Sequence, residues 1–280
     1  MKQREIPLFL SVILATILPI ALFVIWHISA ESVNSAVLIP RPLSVWERLI
    51  HPFTDLMGIG TLAHHAGISL LRVLTGFAVG AVLGIGLGIF AGMNRIFGAI
   101  VEPFVELLRS ICPVAWIPFA LVIFKLNTLG GVFGGTLENS VFREVLLAMI
   151  FVIAYGALFP VFINTLHGVR SVRVIYLEAA SMLGSRGVHR FTKVILPGAL
   201  PSIITGLRIG LGTSWFVIVA AEMLPGPSTG LGYLIIYAYQ MSEMDILMAG
   251  MIMIGLTGGV LHFAMKQFTG SLIRWQTKER

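Results

Sequence analysis

The sequence predicts an all-α membrane protein built from six transmembrane helices. Of its 280 residues, 57% are hydrophobic and only 11% are charged, whereas about a quarter of the residues in a typical soluble domain are charged. The hydrophobic residues are gathered into uncharged blocks that are long enough to cross a bilayer as helices. The formal net charge of +6 fits cytoplasmic loops rich in Lys and Arg, so we expect no nucleic acid partner.

Six segments have the length and hydropathy of membrane spans. The first begins after a basic start, as a signal peptide does, but its apolar stretch is longer than the roughly 7–15 residues of such peptides. The third carries Glu106 and Arg109 in its first turns. The predicted spans are Ile6–Ile28, Val73–Met93, Pro103–Phe124, Val145–Val169, Leu200–Met223 and Ile246–Met265.

The distribution of Lys and Arg predicts that both termini lie in the cytoplasm. Twelve of these residues then lie inside and four outside, and the four are Arg41, Arg48, Lys125 and Arg143. Two outer segments are longer than tight turns. The prolines of IPRPLSVW in the first favour an extended path, and the glycines of GGVFGG in the second favour flexibility. The polar stretch 170–199 is placed inside.

Glycines recur every four residues through the second predicted span. On a helix they form one stripe of small residues, which allows another backbone to approach closely. The stripe serves either helix packing, its usual role, or a substrate pathway along the groove. Its members are Gly76, Gly80, Gly84, Gly88 and Gly92. The fifth span repeats the spacing with Gly206, Gly210 and Ser214.

The stretch between the fourth and fifth spans is patterned as two short helices. The first has one apolar face, made by Ile175, Ala179, Met182 and Leu183. Gly184 is placed to end this helix in the left-handed conformation. We expect both helices to lie at or below the membrane surface, because they are too short and too charged to enter it.

The second short helix has Val188, Phe191 and Ile195 on one face. We expect Pro197 to stop it and Pro201 to occupy the first turn of the fifth span. Such a unit either docks a partner protein or binds anionic membrane lipid. The small side chains of the first helix favour docking, since they permit a close approach by another protein.

This stretch resembles the EAA motif of the permease subunits of ABC importers. That motif reads E-A-A, three residues, G, nine residues, an aliphatic residue, one residue and L-P. Every fixed position is matched, by Glu178, Ala179, Ala180, Gly184, Val194, Leu196 and Pro197. The placement between the fourth and fifth spans is also that of the family.

Other stretches are similar to the nitrate/sulfonate/taurine/bicarbonate branch of these permeases. They are SLLRVLTGFAVGAVLGIGLGIFAG, PVAWIP, FPVFINTLHGVRSV and AAEML. The resemblance extends from about Ile39 to Met265. It departs from the family at Lys125–Glu144, where a short W-F-G-x-G-like turn is usual. That departure leaves the substrate and the docking details open.

The resemblance implies a type I ABC importer permease fold and a multi-pass protein of the bacterial inner membrane. The first short helix would be a coupling helix seated in a cleft of an ATP-binding cassette subunit. The docking residues would be Glu178, Ala179, Ala180, Met182, Leu183, Gly184, Arg186, Leu196 and Pro197. A second permease copy, as a homodimer, and a periplasmic solute-binding protein would complete the importer. Its substrate would be a small solute such as sulfonate, nitrate or bicarbonate.

The residues themselves support a separate energy source. The sequence lacks a G-x-x-x-x-G-K-[ST] phosphate loop, so we expect ATP and Mg on the partner subunit and no cofactor on this chain. The seven histidines show no metal-site spacing, and no nucleophile elbow occurs. We therefore expect no metal and no enzyme. A gradient-driven secondary transporter and a membrane-embedded lipid enzyme remain as alternatives.

Four residues are candidates for the translocation path: Trp116, Thr213, Trp215 and Glu222. An ionisable group within a span is a functional candidate by default. For Glu222, the alternative is a carboxylate at the membrane boundary that a neighbour such as Arg72 stabilises. Arg208 either attracts an anion, snorkels to the headgroups or forms a structural pair.

Overall fold

The long apolar stretches form helices, because a backbone surrounded by lipid must satisfy its hydrogen bonds within the segment. The structure, a computed structural model, describes residues 8–33, 35, 37–133 and 141–272. Within these ranges the chain is almost wholly helical and forms no β-strand. The helices are α1 (Leu8–Val33), α2 (Pro42–Ile50), α3 (Leu62–Met93), α4 (Arg95–Arg109), α5 (Ile117–Phe124), α6 (Leu129–Phe133), α7 (Leu147–Arg170), α8 (Val174–Met182), α9 (Gly187–Arg190), α10 (Leu196–Glu222), α11 (Leu231–Gln240) and α12 (Met244–Leu272).

The described residues contain five helical stretches that are long and apolar enough to cross a membrane. They are Thr16–Val33, Leu62–Met93, Leu147–Arg170, Gly187–Glu222 and Met244–Gly270. The third predicted span is not one straight helix, because α4 and the stretch Pro113–Phe124 meet at an angle of 88°. Pro113 and Pro118 lack the N–H groups that a continuous helix would need at this break. The pair makes a sixth span only as a broken one.

The helix of the second predicted span starts earlier than expected, at Leu62 and not at Val73. Thr61 caps it, since the Thr61 hydroxyl accepts a hydrogen bond from the His64 N–H at 3.1 Å. Hydropathy alone excluded this first part because it carries His64, His65 and Arg72. The polar residues are nevertheless helical, and they project from a rigid element.

Two expectations about prolines are wrong. IPRPLSVW is not extended throughout, because α2 begins at Pro42, where the fixed φ of proline suits a first helical turn. Pro197 does not end a helix either. The chain stays helical from Gly187 to Glu222, through a π-helical turn at Phe191–Ile195. This wider turn directly precedes Pro197 and lets the helix continue past the missing N–H.

The glycine stripe of α3 packs directly against α7. A Cβ built on Gly80 would lie 2.5 Å from the Ala154 carbonyl oxygen and 2.8 Å from the Ala157 Cβ. The other facing pairs are Gly76 with Ile153, Gly84 with Val161, Gly88 with Thr165 and Gly92 with Val169. The stripe is therefore filled by α7 and leaves no groove for a solute in this structure.

The adjoining face of α7 is packed by the small residues of α10, so that Val161 meets glycines of both helices. A Cβ on Gly206 would lie 2.8 Å from the Asn164 Cβ, and one on Gly210 would lie 2.9 Å from a Val161 methyl group. α7 is thus enclosed by two helices that both approach it through glycines. These three helices form the centre of the bundle, where close backbone contact replaces large side chains.

The outer segment Lys125–Glu144 is described only in part, since residues 134–140 lie outside the described ranges. Its two described ends pair with each other at the start of α7. The Leu129 N–H donates to the Val145 carbonyl at 2.8 Å, and the Leu147 N–H donates to the Asn127 carbonyl at 3.0 Å. The expected role of this segment in contacting a binding protein stays a prediction.

Adding one methyl group to the stripe tests the packing of α3 on α7. We expect Gly80→Ala to lower the free energy of unfolding by about 1–3 kcal/mol, because the new Cβ overlaps α7 backbone atoms. Gly86→Ala is the matched control, since a Cβ there meets nothing within 4 Å. It should be neutral or stabilising by up to about 1 kcal/mol. Unfolding in mixed micelles measures the free energy of unfolding of both variants. Equal changes in Gly80→Ala and Gly86→Ala would contradict the close packing of α3 on α7.

Candidate functional site

α8 presents large apolar side chains at one end of the bundle. The exposed fraction is 64% for Ile175, 89% for Met182 and 87% for Leu183. With nine residues, α8 is far too short to span a bilayer, which takes about 20. The exposed apolar residues in and next to this helix are Val174, Ile175, Tyr176, Met182 and Leu183. They form a surface that no part of the described chain covers.

The two alanines of the motif point in different directions. Ala179 is exposed and lies on the apolar surface, beside the exposed Glu178. Ala180 is buried, with 8% exposure, because neighbouring residues on a helix are turned by about 100°. Ala179 is therefore accessible to a partner in this structure and Ala180 is not, and contact between Ala179 and a partner stays a prediction.

Gly184 ends α8 in the left-handed conformation, as predicted, with a φ of +77°. The Ser185 N–H donates to the Ala180 carbonyl at 2.9 Å, and the Gly184 N–H donates to the Ser181 carbonyl at 3.0 Å. These two bonds define a Schellman motif, which satisfies the last carbonyls of the helix. Glycine is the residue best suited to this turn, since a side chain would be strained at that φ.

Two further motif residues, Leu196 and Pro197, attach the stretch after α8 to the bundle. Leu196 is half-buried at the start of α10, where it packs on Val169, Ala199 and Ile203. Pro197 follows in the same turn and is also half-buried. Arg186, which is also expected to contact the partner, is exposed. Leu196 and Pro197 therefore fix how the chain enters α10 and do not belong to the exposed surface.

Glu222 lies at the opposite end of α10 and forms a buried ion pair with Arg72 of α3. The Arg72 Nη1 is 2.8 Å from the Glu222 Oε1, and the side chains are 1% and 0% exposed. The Ser69 hydroxyl donates to the same carboxylate at 2.8 Å. The Gly232 N–H donates to it at 3.1 Å. The carboxylate is therefore fully occupied by donors and does not face an open path in this structure.

Arg72 also holds two loops. Its Nη2 donates to the Glu144 carbonyl at 2.6 Å, directly before α7. Its Nη1 donates to the Thr229 carbonyl at 2.7 Å, and its Nη2 donates to the Thr229 hydroxyl at 2.9 Å. One guanidinium thus connects α3 and α10 with the segments before α7 and α11. We call Ser69, Arg72, Glu222 and Thr229 the buried clamp.

The start of α11 is shaped to fit this clamp. The Leu231 N–H donates to the Ser69 hydroxyl at 2.9 Å, and the Gly230 N–H donates to the His65 Nδ1 at 3.0 Å. Gly230 has a φ of +116°, and a Cβ there would overlap the Glu222 carboxylate. Glycine is required at this position for both its conformation and its lack of a side chain.

Sequence reasoning named the Arg72–Glu222 pair as an alternative but missed its neighbours. A signal was present, because His65, Ser69 and Arg72 are spaced i, i+4 and i+7 and so lie on one helical face. A polar face on a membrane helix needs partners, and Thr229 and Gly230 provide them. The roles of Thr229 and Gly230 could not be predicted from the sequence, since no periodicity links a loop to a distant helix.

The candidate path residues are not brought together. Trp116 packs in an aromatic cluster, with ring centroids 5.5 Å from Phe119 and 5.5 Å from Tyr155. The Thr213 hydroxyl donates to the Ile209 carbonyl of its own helix at 2.8 Å. Trp215 lies against α12 and is 7% exposed. Within one chain, Trp116 and Trp215 are therefore not arranged as a pair of aromatic side chains that could close a path between them.

A metal site is not found among the described residues, where no group of three or more His, Cys, Asp or Glu side chains converges. The only cysteine, Cys112, is exposed. Four of the buried polar side chains of the described residues, His65, Ser69, Arg72 and Glu222, lie in or beside the buried clamp.

Comparison with known proteins identifies the chain's relatives. A family model described as "Binding-protein-dependent transport system inner membrane component" matches residues 80–277. A putative ABC transporter permease protein of Methanocaldococcus jannaschii is 40% identical over 266 residues, which cover 95% of this chain and 93% of that protein. The bicarbonate transport system permease protein CmpB of Synechococcus elongatus is 37% identical over 259 residues, 90% and 84% of the two chains.

The recognised branch is confirmed by further relatives, which are named for the transport of aliphatic sulfonates, nitrate and taurine. Among solved structures, the inward-facing MetNI methionine ABC transporter matches with a TM-score of 0.57 at 19% identity. The match covers 78% of this chain and 98% of that one. It confirms the importer permease fold predicted from the sequence.

The buried clamp should contribute strongly to stability, because breaking a buried ion pair leaves an uncompensated charge. We expect Glu222→Gln and Arg72→Met each to lower the free energy of unfolding by about 3–5 kcal/mol, and the double variant to cost clearly less than the sum. The half-exposed Arg170–Glu102 pair is the matched control, and Arg170→Met should cost about 1 kcal/mol or less. Additive losses at Arg72 and Glu222, measured in mixed micelles, would contradict the coupling.

Proposed function

This chain belongs to the family of binding-protein-dependent transport system inner membrane components, the ABC importer permeases, and from that premise we propose that it forms the translocation path of an ATP-driven importer for a small solute. It is an all-α, multi-pass protein of the inner membrane. Its relatives are transport permeases and not enzymes.

The exposed apolar surface of α8 is the observation that carries the proposal. Burying a large aliphatic or Met side chain is worth about 1.5–3 kcal/mol, so a surface with Ile175, Met182 and Leu183 exposed favours a protein partner. The small Ala179 within it permits close approach. The Schellman turn at Gly184 fixes where the helix ends, so the surface is preformed before docking.

The partner is the ATP-binding cassette subunit, which binds ATP and Mg. This chain lacks a phosphate loop, and the docking helix matches the EAA motif residue by residue. Two permease copies would present two α8 helices, and closure of two ATPase subunits would draw them together. The excess of Lys and Arg on one side supports an orientation with both chain termini and α8 in the cytoplasm. A periplasmic binding protein delivers the solute from the other side.

The solute is a small anion in this proposal. Relatives named for bicarbonate, nitrate, aliphatic sulfonates and taurine support it, since each of these solutes carries an oxyanion group. The net charge of +6 does not enter the argument, because the orientation of the loops already accounts for it.

Introducing a charge at the centre of α8 tests the docking. We expect Ala179→Asp to weaken binding of the ATPase subunit at least about tenfold and to abolish transport, because a carboxylate would be buried in an apolar contact without a partner. Ala99→Asp is the matched control, since Ala99 is also exposed at this end of the bundle but lies on α4. Pull-down of the ATPase subunit and transport by reconstituted importer measure both.

Membrane insertion should be normal for Ala179→Asp, because α8 lies outside all of the candidate spans. It should also be normal for Ala99→Asp, since Ala99 lies at the charged start of the broken span, where Arg95 and Glu102 line the same surface. If α8 bound only lipid, Ala179→Asp would keep the ATPase subunit bound. A cysteine at Met182, in a Cys112→Ser background, gives an independent check by cross-linking to the ATPase cleft. Met182 is chosen because it is 89% exposed, whereas Ala180 is buried. Normal transport together with absent cross-links would exclude docking through α8.

The left-handed turn after α8 can be tested with two substitutions at one position. We expect Gly184→Val to reduce ATPase binding, because a β-branched residue at a φ of +77° costs on the order of 1–2 kcal/mol and distorts the turn. Gly184→Asn should retain most of the binding, since asparagine tolerates this conformation. Equal binding by the Val and Asn variants would show that the turn does not position α8.

A further inference from the structure

A cleft between α10 and α12 contains a positive charge that no carboxylate of the described residues neutralises. The cleft has a volume of about 320 Å³, and its walls include Arg208, Leu211, Trp215, Gly255, Leu261 and Met265. No Asp or Glu is among the residues that line it. The ion pairs of the described chain are formed elsewhere.

Arg208 is held in this cleft by a neutral group. Its Nε donates to the Thr269 hydroxyl at 2.9 Å, and its Nη2 donates to the same oxygen. The Nη1 has no hydrogen-bond partner among the described residues, and arginine stays protonated in proteins. The charge is thus held in position, and no described residue forms an ion pair with it.

The position of Arg208 along α10 makes this unpaired charge costly. It lies 12 residues after Leu196 and 14 before Glu222, about 18 Å and 21 Å along the helix, within the spanning stretch Gly187–Glu222. Ionisable groups at such positions mark substrate and ion pathways unless they are paired. The only described partner, Thr269, has no charge to offer.

A second donor faces the same cleft. Trp215 lies seven residues after Arg208, two turns along the same face of α10, and lines the cleft with it. Its indole nitrogen rests against Gly258 of α12, where a Cβ would lie 2.7 Å from it. No acceptor for this N–H lies among the described residues. Two donors without a partner among the described residues therefore bound the cleft, together with the imidazole of His262, and the other lining residues are glycines or apolar.

The part of the cleft next to Gly212 and Gly255 is open. A Cβ added at Gly212 or at Gly255 would meet nothing within 4 Å. The space therefore accepts a small body beside the cation, while its low-dielectric walls strengthen the field of Arg208. An oxyanion with a short apolar part fits this combination of one guanidinium, one indole N–H, the imidazole of His262 and apolar walls.

We propose that the cleft between α10 and α12 binds a monovalent oxyanion group through Arg208 and Trp215. The proposal rests on the proposed function, whose cargo would bind there, but it does not require α8 to dock an ATPase. The same chemistry is offered by a dissolved solute, such as a sulfonate or bicarbonate, and by the headgroup of an anionic lipid. The experiment distinguishes these two sources.

Trp215 can report on anions in the cleft if the other four tryptophans are replaced by Phe. They are Trp26, Trp46, Trp116 and Trp275. The protein in phosphatidylcholine nanodiscs is titrated with iodide, an anionic quencher, and with acrylamide, a neutral one, at constant ionic strength. Because a charged cleft concentrates counterions, we expect Arg208→Gln to lower the iodide quenching constant roughly threefold or more and to leave acrylamide quenching unchanged.

Arg208→Lys is the matched control and should keep most of the iodide quenching, since it keeps the charge. Gly255→Leu should lower quenching by both agents, because the leucine side chain would fill the open space beside Gly255 and its Cβ would meet no neighbouring atom. Iodide quenching that is equal in wild type and Arg208→Gln, with acrylamide quenching also equal, would overturn the proposal.

The occupant is identified by competition. Methanesulfonate or bicarbonate that lowers iodide quenching in the wild type, and not in Arg208→Gln, assigns the cleft to a dissolved anion. Phosphatidylglycerol nanodiscs that lower it without added anion assign the cleft to a lipid headgroup. Failure of both to compete would overturn oxyanion binding. None of these outcomes depends on ATPase docking, so the proposed function can fail while the cleft still binds anions.

Discussion

The buried ion pair between Arg72 and Glu222 organises one end of the helix bundle. Burying two charges is costly unless their remaining hydrogen-bonding positions are satisfied. Here the Ser69 hydroxyl and the Gly232 N–H donate hydrogen bonds to the carboxylate. The carbonyls of Glu144 and Thr229 accept hydrogen bonds from the guanidinium. Because these partners come from α3, α10, the start of α11 and the loops before α7 and α11, the pair is satisfied only when all of these segments are in place together.

Between this clamp and α8, the bundle depends on close backbone contact. In lipid, apolar side chains gain little by leaving one apolar surface for another, so helices associate through packing and hydrogen bonds. The glycines of α3 and α10 bring both helices against α7. This block is well suited to transmit a movement, because α10 and the helical turns before it run unbroken from Gly187, near α8, to Glu222 in the clamp.

The same helix connects the three features on which the proposals rest. Its first turns follow α8, its middle places Arg208 and Trp215 in the cleft with α12, and its last residue closes the clamp. The features use different faces of α10, since Gly206 and Gly210 are occupied by α7. A displacement of α8 would therefore reach the cleft through the turn at residues 183–186 and then through one continuous helical stretch from Gly187 to Glu222.

The sequence by itself determined the membrane class, most of the spans, the short helix α8 and the left-handed Gly184, because these depend on hydropathy, period and local backbone conformation. It also named Arg72 as a neighbour for Glu222. Only the tertiary structure decided that Pro103–Phe124 is broken, that Pro197 lies within a helix and that Ala180 faces inward. It alone joined Thr229 and Gly230 to the clamp and left Arg208 without a carboxylate. The physical reason is that local pattern specifies an element and its faces, whereas the partner of each face depends on contacts between residues far apart in the chain.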